Sequence, residues 1–293
     1  MKLRTLLLLG RTSNLPTVWS NVLCGALLSG AALDARALVV LLVSGSCFYE
    51  GGMFLNDAFD AEIDARERPG RPIPAGLVAR RTVFAIGFAL LGVGVALLLL
   101  AALLHLTFPG LSASAAGLGT AALVLIYNKW HKGHAWSPIA MGACRAGLYL
   151  TAAFAVSGVA TRSVVTAALA LLSYIVGLTH IARFETGKVL DRAWPTAFVL
   201  APLLWAAPRL WSTPSALGAL CFVVLLCWSL RSLSFALRGG FMIRRAVLTL
   251  IAGVSLVDAL FISLVQPPAM LWVLLAAAAF LLTVRWQRSI PGT

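Results

Sequence analysis

The chain reads as an all-α, polytopic bundle of transmembrane helices with ten candidate spans. Three observations point there. Of 293 residues, 60% are hydrophobic and only 11% charged, a balance that suits a chain buried against lipid and itself. Apolar stretches of spanning length recur from one end to the other. The basic residues fall on alternate connections between those stretches, as membrane topology demands.

Taken in order, apolar stretches run over residues 14 to 33, 36 to 57, 81 to 104, 109 to 128, 136 to 156, 162 to 183, 193 to 208, 214 to 235, 244 to 265 and 268 to 286. Each approaches the roughly 20 residues a bilayer requires. The stretch at 193 to 208 contains Pro195, Pro202 and Pro208, which makes it the weakest span. The start, Met1 to Gly10, is too short for the apolar region of a cleaved signal peptide and is expected to be an interfacial segment leading into the first span. No linker, low-complexity tract or soluble domain interrupts the series, so residues 1–293 form a single membrane-embedded domain.

Alternating from a cytoplasmic N-terminus, one side receives Lys2, Arg4 and Arg11, then Arg66, Arg68, Arg71, Arg80 and Arg81, then Lys129 and Lys132. The same side receives Arg183, Lys188 and Arg192, then Arg238, Arg244 and Arg245, and finally Arg285 and Arg288. The opposite side receives Arg36, Arg162 and Arg209. The net charge of +13 is therefore a topology signal. It is spread a few residues per loop and makes no continuous basic face for nucleic acid. The five cysteines, Cys24, Cys47, Cys144, Cys221 and Cys227, lie in apolar runs without metal-ligand spacing and read as packing residues.

One polar stretch organises the chain: Asn56-Asp57-Ala58-Phe59-Asp60-Ala61-Glu62-Ile63-Asp64, at the end of the second apolar run. If that run continues as a helix, the 100° step puts Asn56, Asp60 and Asp64 within an arc of about 80°, with Asp57 beside it. Of ten acidic residues in the chain, four lie between Asp57 and Asp64. Carboxylates so close repel unless a cation sits among them, and an all-oxygen donor set suits Mg²⁺ better than Zn²⁺. Mg²⁺ keeps positions for water and phosphate oxygens, so a phosphate ester is the expected companion. The alternative is a solvated acidic helix end. This segment then faces the cytoplasm.

Ionisable groups at membrane depth are costly and therefore informative. Glu50 lies two turns before Asp57 on nearly the same face, and Arg145 sits mid-span in the fifth stretch. Both read either as pocket-lining groups or as members of buried ion pairs. Asp258 and Arg231 are assigned structural roles.

With its following loop, Arg66-Glu67-Arg68-Pro69-Gly70-Arg71-Pro72-Ile73-Pro74-Ala75-Gly76, the acidic stretch resembles the UbiA superfamily of intramembrane prenyltransferases. An NDxxDxxxD run followed by an RPxPxG loop between the second and third spans is a specific combination. Asn21 in the first span, Tyr127 to Lys132 on the next loop of that side, and Arg145 in a CRxGL stretch agree with it. The resemblance covers roughly residues 10 to 190 and implies a helical bundle of about nine spans around a central cavity where Mg²⁺ holds a prenyl diphosphate; with the ten candidate stretches, nine to ten spans are expected. On that basis Asn56, Asp57, Asp60 and Asp64 are metal ligands, Asp57, Asp60 and Asp64 being essential to catalysis, and Glu185 is a candidate for a second metal site. Arg71, Lys132, Arg183 and Lys188 bind diphosphate, and Asn21, Glu50, Arg145 and His180 line the substrate pocket. Pro72 and Pro74 stiffen the loop that carries Arg71.

The chain departs from the family where a second Asp-rich motif is expected after the sixth span. It reads Thr179-His180-Ile181-Ala182-Arg183-Phe184-Glu185-Thr186-Gly187-Lys188, with Glu185 its one acidic residue. Lost carboxylates weaken a second divalent site, while Arg183, Lys188 and Arg192 add cations able to bind phosphate oxygens directly. His131 also stands where the family's YxxxK element has lysine, with Lys132 one place later. The expected activity is Mg²⁺-dependent transfer of a prenyl group from a prenyl diphosphate to an aromatic or other lipophilic acceptor. The alternative is a non-catalytic isoprenoid or lipid-linked precursor binding or carrier protein of the same fold, supported by the altered second motif, in which the chain resembles the divergent UbiA-like proteins called EboC.

Overall fold

Eleven α-helices follow one another in the computed structural model, which describes residues 2–184, 194–265, 270–290 and 292, and no strand occurs among the described residues. They are α1 (Leu3–Leu9), α2 (Leu15–Leu28), α3 (Ala35–Glu67), α4 (Arg80–Leu103), α5 (Ser112–Trp130), α6 (Ser137–Ser157), α7 (Arg162–Ala182), α8 (Ala201–Ser212), α9 (Ala216–Arg238), α10 (Met242–Ser263) and α11 (Met270–Trp286). All ten apolar stretches of the sequence fall on helical elements. Among the described residues six helices, α3, α4, α6, α7, α9 and α10, are long and apolar enough to cross a membrane, while α11 is a shorter apolar helix.

Length explains where the elements depart from the expected spans. Helix α3 has 33 residues, about 50 Å at 1.5 Å per residue, well beyond a hydrocarbon core of roughly 30 Å. The apolar run therefore does not stop at Asp57, and the same helix carries Asn56 to Asp64 onward. Asp34 caps its start, accepting from the Arg36 amide at 2.6 Å, and it ends at Arg68, directly before Pro69. The proline-rich stretch at 193 to 208 is broken: a 3-10 segment, Trp194–Leu200, precedes α8, whose 12 residues rise only about 18 Å.

Helix α2 is also short, 14 residues, and all but Trp19 and Leu27 are buried. It is a core helix wrapped by α3, α6, α10 and α11. Close approach makes that possible. A Cβ on Gly25 of α2 would lie 2.6 Å from the Cα and carbonyl oxygen of Tyr149 on α6, so the two backbones nearly touch. Helix α10 is buried along most of its length against α2, α7 and α9. The fixed frame of α2, α6, α7 and α10 leaves α3 and α5 to line the polar end of the bundle.

Candidate diphosphate site

Helical periodicity brings Asn56, Asp60 and Asp64 to one wall of a cavity of about 590 Å³ at the end of the bundle where α3, α5 and α7 terminate. All three side chains are largely buried. The opposing walls are basic. Arg71 comes from the proline-rich loop, His131 and Lys132 from the loop after α5, Arg183 from the end of α7, and Arg11 from the turn before α2. With Arg68, five side chains of full positive charge face three carboxylates, Asp60, Asp64 and Glu67. That excess calls for an anion.

Each acidic group meets the basic wall differently. Asp57 turns from the cavity to two guanidinium groups: its Oδ1 accepts from Arg71 Nη1 at 2.7 Å and from Arg11 Nη2 at 3.1 Å. The same Arg11 nitrogen donates to Asn56 Oδ1 at 3.1 Å, and Asn56 Nδ2 donates to Asn128 Oδ1 at 3.2 Å. Asp60 Oδ2 lies 3.3 Å from His131 Nε2 and 3.4 Å from Lys132 Nζ. Asp64 joins no ion pair of this kind among the described residues and is an open oxygen donor on the cavity wall. Arg183 is braced by donating to the His134 carbonyl at 2.8 Å and to Ser137 Oγ at 2.6 Å.

Arg71 shows the electrostatic pressure directly. Burial, and then the adjacent Arg11 guanidinium, press its pKa below the usual arginine value against the pull of Asp57 and Asp64. Arg11 feels burial in the same direction, but Asp57, Tyr49 and Tyr127 outweigh it and hold its pKa above the ordinary value. Two guanidinium groups thus share one carboxylate oxygen, and a phosphate oxygen placed between them relieves both.

A turn deeper, Gly52, Met53 and Phe48 of α3, Val124 of α5, and Met141 and Leu148 of α6 line a small apolar cavity of about 40 Å³. Tyr127 belongs to the walls of both cavities. Arg145 reaches the apolar one; its Nη1 donates to Asn21 Oδ1 at 2.9 Å and its guanidinium lies 5.3 Å from the Tyr49 ring centre. The polar cavity and the apolar slot therefore adjoin across the Tyr127 ring.

Several expected site residues stand elsewhere. Asn21 is wholly buried and lines neither cavity: its Nδ2 donates to both carboxylate oxygens of Asp258, at 3.1 and 2.9 Å, and its Oδ1 is taken by Arg145. Ser20 and Tyr149 donate to the same carboxylate, so Asp258 is held inside the bundle by three side chains. Glu50 does not extend the cavity; it accepts from Thr12 Oγ1 at 3.4 Å and braces the turn before α2. His180 is not on the wall of this cavity but lines an adjoining cleft of about 450 Å³ with Trp194 and Phe198, and the two share Ala135 and Arg183. Asp57 supports two arginines where a metal ligand was expected. Glu185 and Lys188 lie outside the described residues. Arg231 packs on Trp228 and Phe235, 5.6 and 5.7 Å from their ring centres, as its structural assignment requires.

Mg²⁺ chemistry can be tested against this donor set. Among the described residues no three His, Cys, Asp or Glu side chains converge as a ready-made metal cluster. Asn56, Asp60 and Asp64 nevertheless offer only oxygen to one cavity, and a hard ion that keeps water and phosphate among its ligands needs no closed protein cage. The residues fit such an ion.

The sequence profile of the UbiA prenyltransferase family matches residues 15–234, which hold the acidic wall, the proline-rich loop and the apolar slot. The chain belongs to the UbiA prenyltransferase family. Among its curated relatives, digeranylgeranylglyceryl phosphate synthase of Methanopyrus kandleri is 42% identical over 96 residues, 32% of this chain and 35% of that protein. The aligned stretch thus spans about a third of the relative's length. The fold agrees with solved UbiA structures. The apo UbiA homolog from Aeropyrum pernix K1 superposes with a TM-score of 0.69 at 16% identity, covering 83% of this chain and 95% of that one. A UbiA homolog from Archaeoglobus fulgidus bound to GPP and Mg²⁺ gives a TM-score of 0.52 at 13% identity, covering 96% and 98%. Like these, the chain is an integral membrane helix bundle.

Proposed function

We propose that the protein transfers a prenyl group from a prenyl diphosphate to an aromatic or other lipophilic nucleophile within the membrane, with its acidic wall on the cytoplasmic side. The observation that carries this reading is one cavity in which Asn56, Asp60 and Asp64 face Arg11, Arg71, Lys132 and Arg183, and which shares Tyr127 with an apolar slot. Membership of the UbiA prenyltransferase family, a curated relative named digeranylgeranylglyceryl phosphate synthase and a UbiA homolog bound to GPP and Mg²⁺ support it.

Asn56, Asp60 and Asp64 would hold one Mg²⁺, which when bound neutralises charge on the diphosphate and improves it as a leaving group. Arg11 and Arg71 bind the same diphosphate from the other side, held in place by Asp57. Lys132 and His131 exchange Asp60 for phosphate oxygens as the anion arrives, and Arg183, braced on the loop before α6, closes the basic wall. These donors favour the charge that develops on the departing diphosphate as the carbon–oxygen bond lengthens. Phe48, Met53, Val124 and Leu148 keep water from the electron-poor allylic carbon until the acceptor reaches it. The isoprenoid tail is longer than the apolar slot, so it extends outward between α3, α5 and α6.

The test is turnover in lipid nanodiscs with labelled geranylgeranyl diphosphate. The reading expects diphosphate release that requires Mg²⁺ and is lost in Asp60→Ala while the variant still folds. Release that survives both chelation and that substitution overturns it.

A further inference from the structure

The structure assigns a positioning role to Gln287, just past α11, which through Asn14 holds the turn that presents Arg11 to the diphosphate cavity. This rests on the function proposed above and concerns residues that stand outside the stretch matched by the family, 15–234.

Arg11 is the strained member of the basic wall. Its φ of 43° lies in the left-handed region, which a long side chain occupies only when its surroundings impose it. The next three residues form a single 3-10 turn, Thr12–Asn14, too short to be stable alone. Two long contacts from α3, Tyr49 Oη donating to the Arg11 carbonyl and Thr12 Oγ1 donating to Glu50, both at 3.4 Å, touch the turn, and shorter contacts to Asn14 impose it. The Asn14 amide donates to the Arg11 carbonyl at 3.0 Å, and Thr17 Oγ1 donates to the Asn14 carbonyl at 2.7 Å. The side chain is anchored from the far end of the chain: Gln287 Nε2 donates to Asn14 Oδ1 at 3.0 Å, and Asn14 Nδ2 donates to the Gly292 carbonyl at 2.9 Å. Gln287 Nε2 also lies 3.3 Å from the Leu248 carbonyl of α10, which ties it to the core. Asn14 is buried and its side chain is used on both sides.

A buried asparagine that loses its partner bears a desolvation cost and seeks another one. Releasing Asn14 therefore loosens the one turn that keeps Arg11 in its left-handed conformation, with Nη2 on Asn56 and Asp57. Gln287 touches neither the cavity nor Arg11. Its route to the anion therefore runs through the Asn14 turn and Arg11.

Gln287→Met keeps the side-chain length and removes the donor. One net hydrogen bond corresponds to roughly a three- to tenfold change in an equilibrium constant, so binding of geranylgeranyl thiolodiphosphate, a non-ionising analogue, weakens by about that factor. A double-mutant cycle isolates the route. In an Arg11→Gln background the same Gln287→Met change leaves affinity unaltered if Gln287 acts through Arg11. Equal weakening in both backgrounds overturns the assignment. Hydrogen exchange supplies a readout without ligand: the amides of residues 11–14 exchange faster in Gln287→Met, with α10 unaffected, and unchanged protection there overturns it as well. Should wild-type protein fail to bind the analogue while the exchange result holds, the proposed function fails and the coupling of Gln287 to Arg11 stands.

Discussion

Asp57→Asn separates two roles for the same carboxylate. As a metal ligand, Asp57 would matter only when Mg²⁺ is present; as the shared partner of Arg11 and Arg71, it matters in the empty protein. The asparagine keeps the shape and an accepting oxygen but removes the charge. Hydrogen bonds to a charged group contribute about 1.5–3 kcal/mol against about 1 kcal/mol for neutral ones. Two such bonds, at 2.7 and 3.1 Å, are converted. The arginine side chains retain 16% and 19% exposure, so water recovers part of the loss and about 1–2 kcal/mol remains. At roughly 2–4 °C per kcal/mol for chains of a few hundred residues, the apparent Tm falls by about 2–8 °C. The assay is thermal unfolding in detergent with EDTA, at one scan rate because such unfolding is irreversible. Inorganic pyrophosphate added without metal should raise the Tm of the variant more than that of the wild type, because the two guanidinium groups now lack their anion. An unchanged Tm, or a smaller gain from pyrophosphate in the variant, refutes the anchoring role.

Three further outcomes are expected. Asp64→Ala, which breaks no ion pair among the described residues and removes a buried carboxylate beside Asp57 and Asp60, should not lower the Tm yet should reduce Mg²⁺-dependent diphosphate release by about a hundredfold or more; kinetics and melting on the same preparation check both. Gly25→Ala places a methyl 2.6 Å from the Tyr149 backbone and should cost about 1–3 kcal/mol or more by forcing α2 from α6, seen as a lowered Tm at unchanged Mg²⁺ requirement. Asp258→Asn replaces one accepting oxygen by an amide donor, set against Asn21 Nδ2 and against either Ser20 or Tyr149, and removes the negative charge from the network reached by Arg145 through Asn21; it should destabilise by about 3 kcal/mol while the Mg²⁺ titration midpoint of surviving activity stays in place.

The acidic wall was legible in the sequence because helical period alone groups Asn56, Asp60 and Asp64 once the second apolar run is taken to continue as helix. The flanking prolines mark the loop that carries Arg71, and alternation of basic residues marks the end of the bundle where Lys132 and Arg183 gather. Arg11 was not legible as a site residue. Its contact with Asp57 crosses 46 positions and depends on a left-handed turn that no local pattern announces. His131 was visible as a departure from a lysine position, yet its pairing with Asp60 depends on how the loop after α5 folds back. Asn21 misled for the opposite reason: a polar side chain inside an apolar run reads as a pocket group, but its partner, Asp258, is 237 positions away. Glu50 misled because helical phase says which way a side chain leaves α3, not what packs there, and the turn before α2 does. Helix α2 fell short of its apolar stretch because burial by four neighbours, not bilayer thickness, sets its ends.

The most direct measurement is an experimental structure of the protein in nanodiscs with Mg²⁺ and geranylgeranyl thiolodiphosphate. The account predicts the diphosphate between the Asn56, Asp60 and Asp64 wall and Arg11, Arg71, Lys132 and Arg183, with metal density on the acidic side and the first isoprene unit past Tyr127. A diphosphate bound instead in the cleft beside His180, or an acidic wall still paired to its cations with the analogue elsewhere, contradicts it.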